Sequence, residues 1–342
     1  METLLGKTLS ELQEAALQAG LPKFAGKQLA EWLYVRRVSS FDEMTNISRQ
    51  GREVLKANYS IGRYTPVRKA ISQDGTCKYL FAQGNSHFVE SVYIPEGDRA
   101  TLCVSTQVGC KMGCRFCMTG TLGFHGQLSA AEILNQIFYF PNLTNVVFMG
   151  EGEPMDNIDN VLRALTILTS SYGCGWSPKR ITVSSVGVLP GLRRFLDESE
   201  CHLAISLHNP FAAEREQIMP AEKMVHLSNV LEVIKQYDWT HQRRVSFEYI
   251  CWHGLNDTIR HAQGLVRLLK GLNCRVNLIR FHEGVEQFAH TNIEERHFPS
   301  SDEKQMEWFR DYLTQNGVTT TIRRSRGEDI LAACGMLVAQ EQ

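Results

Sequence analysis

Along most of this chain, short apolar runs alternate with stretches whose apolar positions recur every three to four residues. Runs rich in β-formers fall at 102–105, 145–149, 181–185, 203–207, 245–250, 276–281 and 318–322. Helix-period stretches lie between them at 130–140, 158–170, 189–198, 228–237, 257–269 and 302–316. This order predicts an α/β fold of βα units around a parallel sheet, and six such units predict a partial (β/α)6 barrel. Two helices carry capping-box start signals, Ser129 with Glu132 and Ser300 with Glu303. Upstream, 78–82 and 87–94 alternate with period two and predict a hairpin. Glu90 falls there on the face opposite Val89, the wet side of an ordinary strand. Residues 4–19, 26–37 and 41–59 show helix periodicity and read as a separate helical piece. The expected layout is a helical accessory domain over 1–70, a hairpin connector over 71–98, the barrel over 99–325 and a C-terminal segment over 326–342.

Composition narrows the class. With 342 residues, 43% of them apolar, the chain can bury a full core. Ten cysteines are too few for a disulfide scaffold at this length. No charged-then-apolar leader opens the sequence and no run reaches the length of a membrane span, so a cytoplasmic protein with reduced thiols is expected. A formal charge of −1 does not advertise nucleic acid. Residues 1–70, however, hold 11 Lys/Arg against 7 Asp/Glu. Lys23, Lys27, Arg36, Arg37, Arg49, Arg52 and Lys56 there could form either a phosphate-facing surface or an ordinary solvated face.

The candidate chemistry centres on Cys110-Lys-Met-Gly-Cys114-Arg-Phe-Cys117. Three thiols within eight residues read as a loop that wraps them around something. Three thiolates can hold an iron–sulfur cluster with one iron left open for a ligand. A zinc site with His125 as fourth ligand and three unrelated cysteines are the plainer alternatives. Polar residues follow the other apolar runs, where parallel sheets carry their chemistry: Gly150 to Pro154, Ser184-Ser185, and Ser206-Leu207-His208. In the tail, Cys334 sits between alanines and a glycine, downstream of Arg323, Arg324 and Arg326. Cys103 lies in the strand that leads into the cysteine loop.

The C-x3-C-x2-C loop, with an aromatic residue before its last cysteine, is similar to the signature of the radical S-adenosylmethionine (SAM) superfamily. Together with Arg99-Ala-Thr-Leu-Cys103-Val-Ser-Thr-Gln-Val-Gly-Cys110, Met149-Gly-Glu-Gly-Glu-Pro154 and Arg326-Gly-Glu-Asp-Ile-Leu-Ala-Ala-Cys334-Gly, it resembles the RlmN/Cfr family of RNA methyltransferases over nearly the whole chain. The resemblance implies a radical SAM barrel with Cys110, Cys114 and Cys117 on a [4Fe–4S] cluster, and two SAM consumed per turnover. It implies that Cys334 carries the methyl group, that Cys103 forms a disulfide with it to release product, and that Glu90 accepts a proton. SAM contacts carried over are Gly152, Glu153, Ser184, Ser206, Leu207, His208 and His282. The implied substrate is carbon 2 of an adenine in 23S rRNA, in some members also in tRNA, with an electron donor such as flavodoxin and a monomeric enzyme.

Departures and rivals stay in view. His282 stands where the family has Asn, and Glu151 where it has Met. Pro154 separates the chain from the carbon-8 branch, which has Ala there. A radical SAM enzyme for a small molecule would need neither the basic N-terminal piece nor Cys334, and a cluster protein for electron transfer would leave Cys334 without a role. The N-terminal cations and the three tail arginines are the candidate phosphate contacts. The target base must leave its stack, which favours unpaired RNA.

Overall fold

The computed structural model describes residues 1–84, 87–241, 243–282 and 299–337. Residues 283–298 of the expected barrel domain and 338–342 of the expected C-terminal segment lie outside the described residues. Ten strands form one sheet whose spatial order follows the chain: β1 (Arg68–Ile71), β2 (Cys77–Gln83), β3 (His87–Glu96), β4 (Arg99–Cys103), β5 (Asn145–Phe148), β6 (Ile181–Ser185), β7 (His202–Ser206), β8 (Val245–Cys251), β9 (Cys274–Arg280) and β10 (Thr319–Arg323). Strands β4 to β10 pair in parallel, whereas β1 to β3 pair antiparallel and extend the sheet. The hairpin is thus part of the sheet rather than a connector. Its Glu90 is not on a wet face: Val89, Glu90, Ser91 and Val92 are all buried.

The parallel strands alternate more than their apolar sequence suggests. In β6, Ile181, Val183 and Ser185 are buried while Thr182 and Ser184 are half-exposed. Register puts Val183 opposite Phe148 and Leu203. These rows face the outer helices, which bury stripes such as Leu192, Phe195 and Leu196 of the helix Leu189–Glu198. The main core therefore lies between sheet and helices, and the inner rows are largely polar. The helix Ala130–Phe138 begins with the expected box, Glu132 accepting from the Ser129 N–H at 2.7 Å. The helix Glu303–Gln315 does not start on Ser300. Asp302 caps it by accepting from Gln305 N–H at 2.8 Å, a carboxylate suited to the positive end of the helix dipole. Among the described residues no helix is long and apolar enough to cross a membrane.

The N-terminal helices Leu9–Gln18, Ala25–Ala30 and Arg49–Asn58 pack directly on the barrel, and their apolar residues join its core in one continuous cluster. Arg37, expected as a phosphate contact, donates to Phe140 O at 2.8 Å and lies over the Phe138 ring. Arg63 donates to Arg37 O at 2.9 Å and Phe138 O at 3.0 Å. Both cations are used to cap the end of a barrel helix. Replacing Arg63 by Ala leaves these half-buried carbonyls without donors, and is expected to cost about 1–3 kcal/mol, read as a lowered urea midpoint at unchanged m-value.

Candidate active site

A cavity of about 140 Å³ opens at the C-terminal ends of the parallel strands. Its wall includes Cys110, Cys114 and Cys117, the strand-end residues Gly152, Glu153, Ser184, Ser206 and His208, and Cys334. The cysteine loop is closed at its base by an antiparallel pair, Gln107–Gly109 with Phe124–Gln127. It is pinned further by Cys110 N–H donating to Gly123 O at 2.8 Å. Among the described residues no three His, Cys, Asp or Glu side chains converge closely enough to hold a single metal ion. His125 is exposed, bonds Leu122 O at 3.0 Å and stacks on His87, away from the cavity. A structural zinc site takes four protein ligands, and among the described residues no such set converges here. Three soft thiols spread around a cavity suit a multi-iron cluster, and their burial supports that fit: it pushes the Cys110 thiol up to about 12 and raises the other two, so a cationic centre is needed to favour the thiolates.

Glu153 is not an idle acceptor. Its carboxylate receives Ser185 Oγ–H at 2.5 Å, Met155 N–H at 3.0 Å and Val186 N–H at 2.9 Å. A carboxylate offers about four acceptor sites, so little capacity remains for a ligand. Burial, against these donors, lifts its pKa to about 7. Gly152 has φ of +96°, and a Cβ there would lie 2.5 Å from Gln107 Cβ, so the turn needs glycine. Gln107, not singled out by its sequence, ties the two loops by accepting from Glu153 N–H at 2.7 Å and donating to Asp156 at 2.7 Å.

His208 is held in left-handed backbone, φ 55°. Its Nδ1 accepts from Ile250 N–H at 3.0 Å, which puts the ring proton on Nε2. Burial, then Arg215, lowers its pKa to about 3, so it is a neutral donor that packs edge-on to Phe116. Arg215, fully buried, holds the same turn by donating to Leu207 O at 3.0 Å and Ser206 O at 2.8 Å while pairing with Glu222. Leu207 itself does not line the cavity: its side chain lies in the core.

A second cavity, about 280 Å³, adjoins the first and is lined by Cys103, Cys334, His282, Arg323, Arg324 and Arg326. His282 lines only this one, and its Nε2 bonds Ser325 Oγ at 2.7 Å. Arg323 is half-buried between both cavities. It lies near Cys334, Glu248 and Cys103, which together raise its pKa. Burial pushes the Cys103 thiol up to about 12. Arg326 is engaged by Glu96 at 3.4 Å and Asp74 at 3.9 Å. The Cys334 segment is fixed at several points. Asp329 accepts from Ser72 Oγ–H at 2.6 Å, and Asp74 from Gly327 N–H at 3.1 Å. Gly335 O accepts from Met118 N–H at 2.8 Å and Leu337 O from Thr119 Oγ–H at 2.9 Å.

Glu90 lines neither cavity. It pairs with Lys78 Nζ at 2.9 Å, and the same ammonium reaches Leu331 O at 3.3 Å in the Cys334 segment. Glu151 stands beside it, accepting from Glu90 N–H at 2.8 Å. Burial and the Glu90 charge lift the Glu151 pKa from 4.5 to about 8. A folded-state pKa above the unfolded one adds stability below the unfolded value, and that stability is lost as pH rises toward 8, at up to about 1.4 kcal/mol per pH unit. Relative to wild type, Glu151→Gln should therefore gain Tm between pH 5 and pH 8. Parallel Tm profiles for the two proteins would show Glu151 to be ionised throughout.

Comparison with known proteins agrees with this geometry. The family model described as Radical SAM superfamily matches residues 104–266, and the Ribosomal RNA large subunit methyltransferase N-terminal domain matches residues 3–61. A protein of Bacteroides fragilis named "Probable dual-specificity RNA methyltransferase RlmN" is 56% identical, covering 99% of this chain and 97% of its own. The "Dual-specificity RNA methyltransferase RlmN" of Syntrophobacter fumaroxidans is 39% identical, covering 97% of both chains. The crystal structure of a radical SAM methyltransferase from Sphaerobacter thermophilus superposes with TM-score 0.90 at 34% identity, over 99% of this chain and 100% of its own. Cluster loop, strand-end cradle and tail cysteine thus stand in a chain that belongs to the RlmN family of radical SAM RNA methyltransferases, a membership that implies a [4Fe–4S] cluster and SAM.

Proposed function

We propose that this protein methylates carbon 2 of an adenine in 23S rRNA, with tRNA as second substrate, through a methyl group carried on Cys334. The observation that supports it most is that Cys334 lines both the cavity of the cluster cysteines and the cavity of Cys103. Carbon 2 of adenine is electrophilic and has no lone pair with which to attack a SAM methyl group, so ordinary transfer is closed. When bound to Cys110, Cys114 and Cys117, the cluster supplies the electron that cleaves SAM to a carbon radical, chemistry that no side chain can perform. The protein's part is to hold and exclude. His208 Nε2–H, Ser184, Ser206 and the Gly152 turn face the same cavity as Glu153, a set suited to the ribose and amino-acid groups of SAM.

Cys334 Sγ accepts the methyl group and later links it to the base. Release falls to Cys103: its thiolate attacks Cys334 Sγ, an S–S bond forms, the S–C bond breaks with its electron pair left on the carbon, and a proton added there completes the methyl group. The neighbouring Arg323 cation favours the thiolate needed for that attack. The proton leaving carbon 2 is assigned to Glu90, the position that the family resemblance gives as proton acceptor. Two SAM are used per methyl group, one as donor and one as radical source. The protein acts as a cytoplasmic monomer, with its electron taken from a donor such as flavodoxin. Pro154 in the Gly-Glu-Pro turn is the residue that favours carbon 2 over carbon 8.

Intact mass of protein made with SAM available is expected to show one methyl adduct, mapping to Cys334. An unmodified thiol in repeated preparations would sink the proposal. Cys103→Ala should retain that adduct and trap a covalent protein–RNA species resistant to denaturation, whereas free methylated RNA at the normal rate would remove Cys103 from the release step.

A further inference from the structure

A third cavity, about 650 Å³, is at the opposite end of the barrel. Its wall contains residues at the N-terminal starts of the strands, such as Asn145, His202 and Val245, and the inner polar rows Thr182, Ser246, Asn277 and Thr321. Complete (β/α) barrels fill this end with branched apolar side chains, where it serves stability. Here it is open and polar. Four exposed cations from different segments line it: Arg99, Lys179, Arg244 and Arg275. Among the described residues none of the four has a carboxylate within ion-pair distance. The single lining carboxylate, Glu248, is buried 3.7 Å from Arg323. Cations crowded on one mouth repel one another and focus a positive field into it, an arrangement that gains from an anion.

The mouth also leads to the reactive thiols. Met149, Glu248 and Arg323 form a partition shared with the cluster-side cavity. Arg99 and Arg323 are shared with the cavity of Cys103 and Cys334, at the seam where β10 does not close onto β4. Of the three tail arginines, Arg326 is ion-paired and Arg323 is half-buried beside Cys334 and Glu248, which leaves Arg324 as the exposed one. Exposed cations on a rim suit a strand lying across it better than a small anion enclosed in it.

We infer that the N-terminal mouth of the barrel is a phosphodiester-binding surface, on which Lys179, Arg244 and Arg275 hold the RNA strand flanking the base that enters through the seam to Cys103 and Cys334. The inference rests on the RNA-methylation reading and adds where the strand lies.

The test compares two triple variants of the full-length, cluster-loaded protein: Lys179→Gln/Arg244→Gln/Arg275→Gln at this mouth, and Arg193→Gln/Lys223→Gln/Lys304→Gln elsewhere on the surface. Both remove the same charge. Binding of a labelled RNA stem-loop with an unpaired adenine is followed by anisotropy across salt concentrations. For the mouth variant, affinity at low salt should fall at least about tenfold, and the slope of log K against log salt should become shallower by about 2, as for three lost single-strand phosphate contacts. The control should stay near wild type. Equal losses in both variants, or wild-type binding by the mouth variant, would overturn the inference. So would binding of inorganic pyrophosphate that is lost in the mouth variant while RNA affinity is kept, since the site would then serve a small anion. On the proposed mechanism the Cys334 methyl adduct forms without RNA, so its presence in both variants keeps the parent reading separate from this one.

Discussion

The site depends on the docking of a single strand of tail onto the barrel mouth. Cys334 is exposed and has no helix or strand to carry it, so its place is set by hydrogen bonds on either side. On one side Asp74, Ser72 and Lys78 of the antiparallel hairpin hold Gly327, Asp329 and Leu331. On the other, Met118 and Thr119, next to Cys117, hold Gly335 and Leu337. A tail fastened at both ends presents its sulfur to two cavities at once, whereas a tail fastened at one end would swing. Gly327 and Leu331 both adopt left-handed backbone in this stretch. For Leu331 that is a strained state, kept because the surrounding bonds leave the chain no easier course.

Burial does the electrical work of the site. Glu153 and Glu151 are raised, His208 is lowered, and the cysteines are raised, all chiefly because the cavity floor keeps water away. The groups that would be charged in water are thereby moved toward neutrality. Lys78, Arg215 and Arg323 remain as the buried or half-buried cations, each set against a carboxylate or a thiol. This is an environment in which an added iron centre, and a zwitterionic ligand beside it, would be the dominant charges.

The two ends of the barrel have different characters for one reason. The outer rows of the strands are apolar and sit under helices, so the inner rows are free to be polar. At the C-terminal end those inner positions meet the cysteine loop and become a cavity for chemistry. At the N-terminal end no described residue plugs them, and cations collect around the opening.

Local order was legible in the residues themselves. The βα alternation, the seven parallel strands, the Ser129 cap and the cysteine loop follow from short-range periodicity and spacing, which act within a few residues and leave a readable pattern. The docking of the tail was not legible, since hydrogen bonds spanning more than 200 residues, such as Ser72 to Asp329, have no periodic signature. The same holds for Glu90, which alternation put on a wet face and the ten-stranded sheet buried. It holds for Arg37 and Arg323, which read as free cations until packing gave them carbonyls and thiols to serve. Sequence by itself determined which elements form and which side chains carry chemistry. Only the tertiary structure decided which of those side chains meet, because that depends on where the ten-stranded sheet brings distant loops together and on how much water it leaves between them.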